Sequence, residues 1–271
     1  DVDPPTIGHA LATAELFDPA TGAWSRTGSL RYARYGAVAV TLADGRVLVA
    51  GSEPGSGVAA VAPDAALTAE LYDPATGRFT ATGRLPAISL SVMFPSRPKW
   101  ADEFGDPAPY ANGTLVPLAN GDALLVGNTW WWKHQGEVSR QLRYMAATGT
   151  WALAGPAWFD GWTHTDGSSW TSGSSRYDAI AALLADGRVL VAGGSTGIQY
   201  EGVVGRSTAL YEPATGRWTA GPAMPAPRAG AAAARLPSGD VLVVGGYTSD
   251  DDRWQNCEHA GGTAVTLRFA P

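Results

Sequence analysis

Apolar residues along this chain fall in short alternating runs cut by turn residues, and one such cut recurs four times. Leu42-Ala-Asp-Gly-Arg-Val-Leu-Val-Ala-Gly51 returns as Leu118-Ala-Asn-Gly-Asp-Ala-Leu-Leu-Val-Gly127, Leu184-Ala-Asp-Gly-Arg-Val-Leu-Val-Ala-Gly193 and Leu236-Pro-Ser-Gly-Asp-Val-Leu-Val-Val-Gly245. Each copy predicts a β-hairpin: Asp-Gly, Asn-Gly or Ser-Gly supplies the positive φ of a tight turn, and a Val/Leu strand follows. These strands are a and b.

A second unit alternates with the first. It reads Thr13-Ala-Glu-Leu-Phe-Asp-Pro-Ala-Thr-Gly-Ala-Trp24, then Thr68 to Phe79, Gln141 to Trp151 and Ser207 to Trp218, with the Asp-Pro-Ala-Thr-Gly core kept or lightly varied. This predicts strand c, a Pro/Gly turn and a strand d that opens on an aromatic. The turn glycines Gly45, Gly121, Gly187 and Gly239 stand 76, 66 and 52 residues apart, so the shortest repeat is about 50 residues and the others carry insertions.

Composition agrees with a turn-dense all-β protein. The 271 residues include 34 Gly and 19 Pro, are 45% hydrophobic and only 16% charged, and so can build a core. A net charge of −6 without long like-charge runs argues against nucleic acid or an anionic membrane as partner. No apolar run approaches the ~20 residues of a membrane helix. The single Cys257 rules out an internal disulfide framework and a cysteine zinc knuckle. Asp1-Val2-Asp3-Pro4-Pro5 is not the basic start of a signal peptide; if a leader had been removed, a secreted or periplasmic location would follow.

A hairpin ending in Gly193-Gly194 or Gly245-Gly246, followed by Tyr in strand c and Trp in strand d, resembles the kelch repeat of the galactose oxidase-like/kelch superfamily. The resemblance spans almost the whole chain. It implies a single domain over residues 1–271, an all-β small propeller of four-stranded kelch blades, four or five in number and closed through the termini. It does not imply one activity, since such propellers include oxidases, epimerases, nitrile-forming plant proteins and plain binding modules.

The repeated aromatics have a packing role on this reading. Phe17, Tyr72, Tyr144 and Tyr211 in strand c, with Trp24, Phe79, Trp151 and Trp218 in strand d, supply the same bulk to each successive unit. The ends do not match cleanly. Residues 13–29 offer c and d with no preceding hairpin, while the last unit supplies a, b and a strand near 263–269 and then stops. Either the N-terminal hairpin completes the last blade and leaves one strand spare, or it begins a short fifth blade.

Antiparallel order puts the a–b and c–d turns at one end of the strands and the b–c and d–a connections at the other. The first set is short and repetitive. The second set, residues 52–67, 85–111, 129–140, 155–177, 195–206 and 247–262, is long, as functional loops on repeat scaffolds commonly are. It holds Trp100, Trp130, Trp131, Trp132, Trp158, Trp162, Trp170 and Trp254, the acids Asp160, Asp166, Asp250, Asp251, Asp252 and Glu258, and three of the four histidines, His134, His164 and His259.

Three readings of that rim stand together. The tryptophans pack the long loops onto the scaffold. Alternatively Trp130, Trp131, Trp132, Trp158, Trp162, Trp170 and Trp254, with Asp160 and Asp166, form aromatic platforms and hydrogen-bonding carboxylates for a glycan or protein ligand. In the third, His134, His164 and His259 with a carboxylate bind a divalent metal in an enzyme. Two family sites are not matched. The copper site of galactose oxidase-like propellers uses a Tyr crosslinked to Cys, and Cys257 has no matching Tyr-His pair. The Glu/Asp/His spacing of the iron-binding kelch proteins is not reproduced by Asp251 to His259. Ser168, Ser169 and Ser172 lie near His164 and Asp166 but form no Gly-x-Ser-x-Gly elbow, and no phosphate-cradling Gly loop opens a helix.

Overall fold

A computed structural model describes residues 8–52, 58–59, 63–86, 112–129, 138–155, 178–196, 203–248, 261–262 and 266–269. The chain begins with β1 (Gly8–His9) and the hairpin β2 (Glu15–Asp18) and β3 (Ala23–Arg26). Strands β4 (Val38–Thr41) and β5 (Val47–Ala50) follow, then β6 (Val58–Ala59), which pairs in parallel with β1, and a single helical turn, α1 (Pro63–Ala66). With β7 (Ala69–Asp73) and β8 (Arg78–Ala81), the order β4-β5-β7-β8 makes sheet I.

Sheet II is β9 (Asn112–Pro117), β10 (Ala123–Thr129), β11 (Val138–Met145) and β12 (Thr150–Leu153), in that order. Next come β13 (Ile180–Leu183) and β14 (Val189–Ala192), the small pair β15 (Ser195–Thr196) and β16 (Val203–Val204), then β17 (Thr208–Glu212) and β18 (Arg217–Gly221). Sheet III is β13-β14-β17-β18. Sheet IV joins β19 (Ala232–Arg235), β20 (Val241–Val244) and β23 (Leu267–Phe269), with β21 (Tyr247–Thr248) and β22 (Gly261–Gly262) as a small pair between them. The described architecture is thus all-β, with four-stranded antiparallel sheets in a, b, c, d order.

The predicted b strands stand where the repeat puts them, in β5, β10, β14 and β20. Their turns close alike, Gly45 N donating to Leu42 O at 3.0 Å and Leu42 N to Arg46 O at 2.8 Å, and Gly45, Gly121, Gly187 and Gly239 all have φ between 85° and 93°. Register is equally regular. Val47, Ala123, Val189 and Val241 face Tyr72, Tyr144, Tyr211 and Phe269 in turn. Phe269 therefore holds the strand-c aromatic position of sheet IV. The N-terminal hairpin stands as a two-stranded sheet of its own, and β23 takes the place beside β20.

The two inner b strands, β10 and β14, each serve two cores, which explains their unbroken apolar runs. In sheet II, Ala123 and Leu125 pack with Leu48, Ala50 and Leu71 of sheet I, while Leu124 and Val126 pack with Val189, Val191 and Tyr211 of sheet III. In sheet III, Leu190 and Ala192 face Val241 and Val243 of sheet IV. The first strands run in series, β4 against β9, β9 against β13 and β13 against β19.

The sheets are also stitched at their outer strands. Thr27 Oγ1 lies 2.8 Å from Tyr72 Oη, and Gly28 N donates to Gly77 O at 2.9 Å. Thr82 and Gly83 repeat the joint on Tyr144 (2.7 Å) and Gly149 (2.8 Å). A Cβ on Gly28 or Gly83 would run into the Gly77 or Gly149 carbonyl, so the close approach requires glycine. Sheet II departs from the pattern because Ala154 replaces the threonine. There Trp218 Nε1 donates to Ala154 O at 2.7 Å, and Arg143 reaches across to Pro213 O at 2.7 Å.

Candidate functional site

The strands present two unlike ends. At the short-turn end, Asp18 and Asp73 each accept from a backbone N–H two residues on and a threonine hydroxyl three residues on, which closes the c–d turns locally. The a–b turns carry ion pairs that alternate from sheet to sheet. In sheets I and III, Arg46 and Arg188 pair with Asp44 and Asp186 inside the turn, at 2.7 and 2.6 Å. In sheets II and IV the same strand position is acidic, and Asp122 and Asp240 pair with Arg143 and Arg268 on strand c.

These contacts hold the scaffold. Burial raises the Asp122 carboxyl, but hydrogen bonds from Arg143, Ala146 N and Asn120 outweigh it and hold the group below its usual value. Asp44 and Asp186 are lowered by the Arg beside each.

The opposite end receives every long connection, and its floor is polar. Arg34, on the way into β4, is buried between the end of β5 and the start of β7. It donates to the carbonyls of Gly51, Ala65 and Thr68 at 2.6–3.0 Å and pairs with buried Glu70 at 2.9 Å. Glu70 in turn accepts from Arg31 N at 2.8 Å. Arg228 stands in the equivalent place before β19, is 1% exposed and donates to Gly245 O. A carboxylate also reaches this end. Asp178 has a φ of 52°, where the equivalent residues are Gly36 and Gly230, and its Oδ2 accepts from Tyr247 Oη at 3.2 Å.

Sequence reading missed these residues. The available signal was an arginine eight positions before the first leucine in three of the four hairpins, at Arg34, Arg176 and Arg228. An isolated arginine reads as a surface residue, and only the repetition marks it as a buried clamp.

The bases of the long connections are more ordered than the sequence predicted. β10 and β11 continue the ladder to Thr129 and Val138, so the expected 129–140 connection shortens to 130–137. The 195–206 and 247–262 connections start as the small pairs β15–β16 and β21–β22, and 52–67 contains β6 and α1. Antiparallel pairing satisfies backbone groups as the chain leaves each sheet.

The twelve residues predicted for ligand or metal, Trp130, Trp131, Trp132, Trp158, Trp162, Trp170, Trp254, Asp160, Asp166, His134, His164 and His259, lie outside the described residues, as do Cys257 and the serines near His164. The described histidine, His9, is exposed on β1. Among the described residues no group of three or more His, Cys, Asp or Glu is placed to hold a metal ion. No helix among them is long and apolar enough to cross a membrane.

No protein-family model matches the chain, and no curated protein does. Among solved structures, a fungal alcohol oxidase of the AA5 family, in complex with copper, resembles it with a TM-score of 0.62 at 19% identity. The likeness is one of fold. It covers 96% of this chain and 47% of that one, so the chain spans about half the length of the oxidase. The described donors do not fit a copper site, since they offer no clustered imidazole, thiolate or carboxylate set.

Proposed function

We propose that residues 1–271 form one kelch-type β-propeller, its blades the sheets described, closed where sheet IV meets the N-terminal hairpin, and acting as a binding module through its long-loop end. The asymmetry of the two ends supports this reading: one is closed by tight turns and local ion pairs, and at the other, where the long connections leave the sheets, Arg34, Glu70 and Arg228 are buried and hydrogen-bonded. A scaffold that fixes the bases of long loops is what a recognition surface needs.

The favoured ligand is a carbohydrate. Tryptophan faces match the apolar faces of sugar rings, and Asp160, Asp166 and Asp178 supply acceptors for hydroxyl groups. Saturation-transfer NMR with a panel of hexoses and their oligomers tests it. Transfer to ring protons supports the reading, and no transfer from any sugar while a protein partner is captured would move it to a protein ligand.

The likeness to a copper-bound alcohol oxidase supports a second reading, a metal-dependent enzyme using His134, His164 and His259 at the same end. Elemental analysis of tag-free protein decides between them. Stoichiometric metal favours the enzyme, and protein that stays metal-free after incubation with copper, iron and zinc favours the binding module.

A further inference from the structure

Two buried arginines hold the same place in the repeat, and one of them lacks the acid that the other has. Arg34 and Arg228 each stand eight residues before the first leucine of a hairpin, at the long-connection end of the strands. The Arg34 guanidinium pairs with Glu70 at 2.9 Å and donates to three backbone carbonyls. Arg228 is 1% exposed and donates to Gly245 O, but among the described residues no carboxylate pairs with it, and its Nε is buried with no acceptor.

The strand register shows why. Glu70 lies opposite Val49 on strand c of sheet I, and in sheet IV the residue opposite the matching Val243 is Leu267. A leucine therefore stands where sheet I carries the counter-ion. The backbone of Arg228 is fixed all the same, its N donating to Gly205 O at 3.1 Å and its O accepting from Gly194 N at 2.8 Å. A buried cation held in this way costs stability until an anion reaches it.

The surroundings suit an incoming ligand. A Cβ on Gly245 would meet no atom within 4 Å, so the carbonyl that Arg228 holds borders open space. Two residues on, Tyr247 is tied to Ala229 by two backbone hydrogen bonds, and its hydroxyl donates at 3.2 Å to Oδ2 of the exposed Asp178. We infer that Arg228 is the carboxylate-recognition residue of the long-loop end and that the ligand is an acidic sugar, a hexuronate. Its carboxylate takes the place on Arg228 that Glu70 takes on Arg34, and its hydroxyls meet Asp178 and Tyr247. A guanidinium fork matches a carboxylate, and a single cation on a chain of net charge −6 suits a monoanion better than a doubly charged phosphate. The inference rests on the carbohydrate reading proposed above.

Calorimetry on the full 271-residue chain, with glucuronate and galacturonate against glucose and galactose, tests it. The acids should bind about tenfold or more tightly than the neutral sugars, and Arg228→Met should bring them down to the neutral level. Without sugar, Arg228→Met should keep or raise Tm because it removes a buried charge that has no partner, whereas Arg34→Met lowers Tm by breaking a pair. Leu267→Glu leaves Arg228 in place and supplies the acid from strand c. That variant should raise Tm and lose the preference for uronates.

Equal binding of acidic and neutral sugars overturns the inference and leaves the carbohydrate reading standing. A preference for the acids that survives Arg228→Met also overturns it, since the carboxylate then binds elsewhere. If Arg228→Met lowers Tm as far as Arg34→Met does, the guanidinium is already paired within the chain and no ligand is needed. A Tm that falls in Leu267→Glu contradicts the shared place of Leu267 and Glu70. Acetate that raises the parent Tm as much as a uronate at equal concentration assigns the site to simple carboxylates and removes the sugar acid. Failure of all four sugars to bind overturns the carbohydrate reading together with the inference.

Discussion

The hydroxyl of Thr82 lies 2.7 Å from the hydroxyl of Tyr144, across the boundary between two sheets and 62 residues apart in sequence. The same joint links Thr27 to Tyr72. Tyr144 is fully buried, so removing its partner leaves a phenol in the core with a lost hydrogen bond. Thr82→Val keeps the shape and should destabilise by about 1–3 kcal/mol in urea denaturation. Tyr144→Phe removes the other partner, and the double variant should cost less than the two singles combined. Additive effects would mean that the two hydroxyls do not interact.

Arg34 and Glu70 form a buried pair with side-chain exposures of 1% and 2%. Loss of either leaves the other charged group without its counter-ion, and the carbonyls of Gly51, Ala65 and Thr68 each lose a donor when Arg34 goes. Glu70→Gln and Arg34→Met should each cost about 3–5 kcal/mol. By comparison, Asp44→Asn breaks an ion pair that is 46% exposed on the Asp side and should cost at most about 1 kcal/mol. Equal effects at the two positions would contradict the assignment of Arg34 as a clamp.

Asp122 gives stability a pH dependence of definite sign. Its folded pKa is depressed below the usual 3.8, so its contribution is present above that value and is lost as pH falls through the folded pKa. Acid unfolding followed by fluorescence should therefore show part of the loss below about pH 4, and Asp122→Asn should flatten that limb. An unchanged acid limb would show that Arg143 does not favour the charged form.

Much of the fold was legible because its causes are local. Asp-Gly turns and Val/Leu runs at fixed offsets predict the hairpins, and the Tyr and Trp positions predict the c–d register that pairs Tyr72 with Phe79. The alternation of Asp44–Arg46 with Asp122–Arg143 is present in the sequence but not recognisable there, since each half looks like an ordinary turn charge until the sheets align them. The site was less legible. Its tryptophans and histidines lie in connections that do not repeat, so no second copy fixes their geometry. Arg34, buried where β5 ends and β7 begins, looks in sequence like any exposed arginine.

Removing residues 1–30 takes away the joint that Thr27 and Gly28 make on Tyr72 and Gly77. It also uncovers Tyr72, now 6% exposed. Calorimetry should show a Tm lower by several degrees, as burial of one aromatic side chain is worth about 1.5–3 kcal/mol and the joint adds to it. An unchanged Tm would make the hairpin an appendage.

The most direct test of the binding face compares affinity with stability in the same variants. Trp130→Ala, Trp132→Ala and Trp254→Ala should each weaken binding of the best sugar from the NMR panel, by up to about 100-fold at a hot spot, while Tm stays within a few degrees of the parent. Arg78→Ala and Arg217→Ala, at the first residues of β8 and β18 beside the short c–d turns at the opposite end, should leave affinity unchanged. If the tryptophan variants unfold, or keep full affinity while the turn variants lose it, the long-loop end is not the recognition surface.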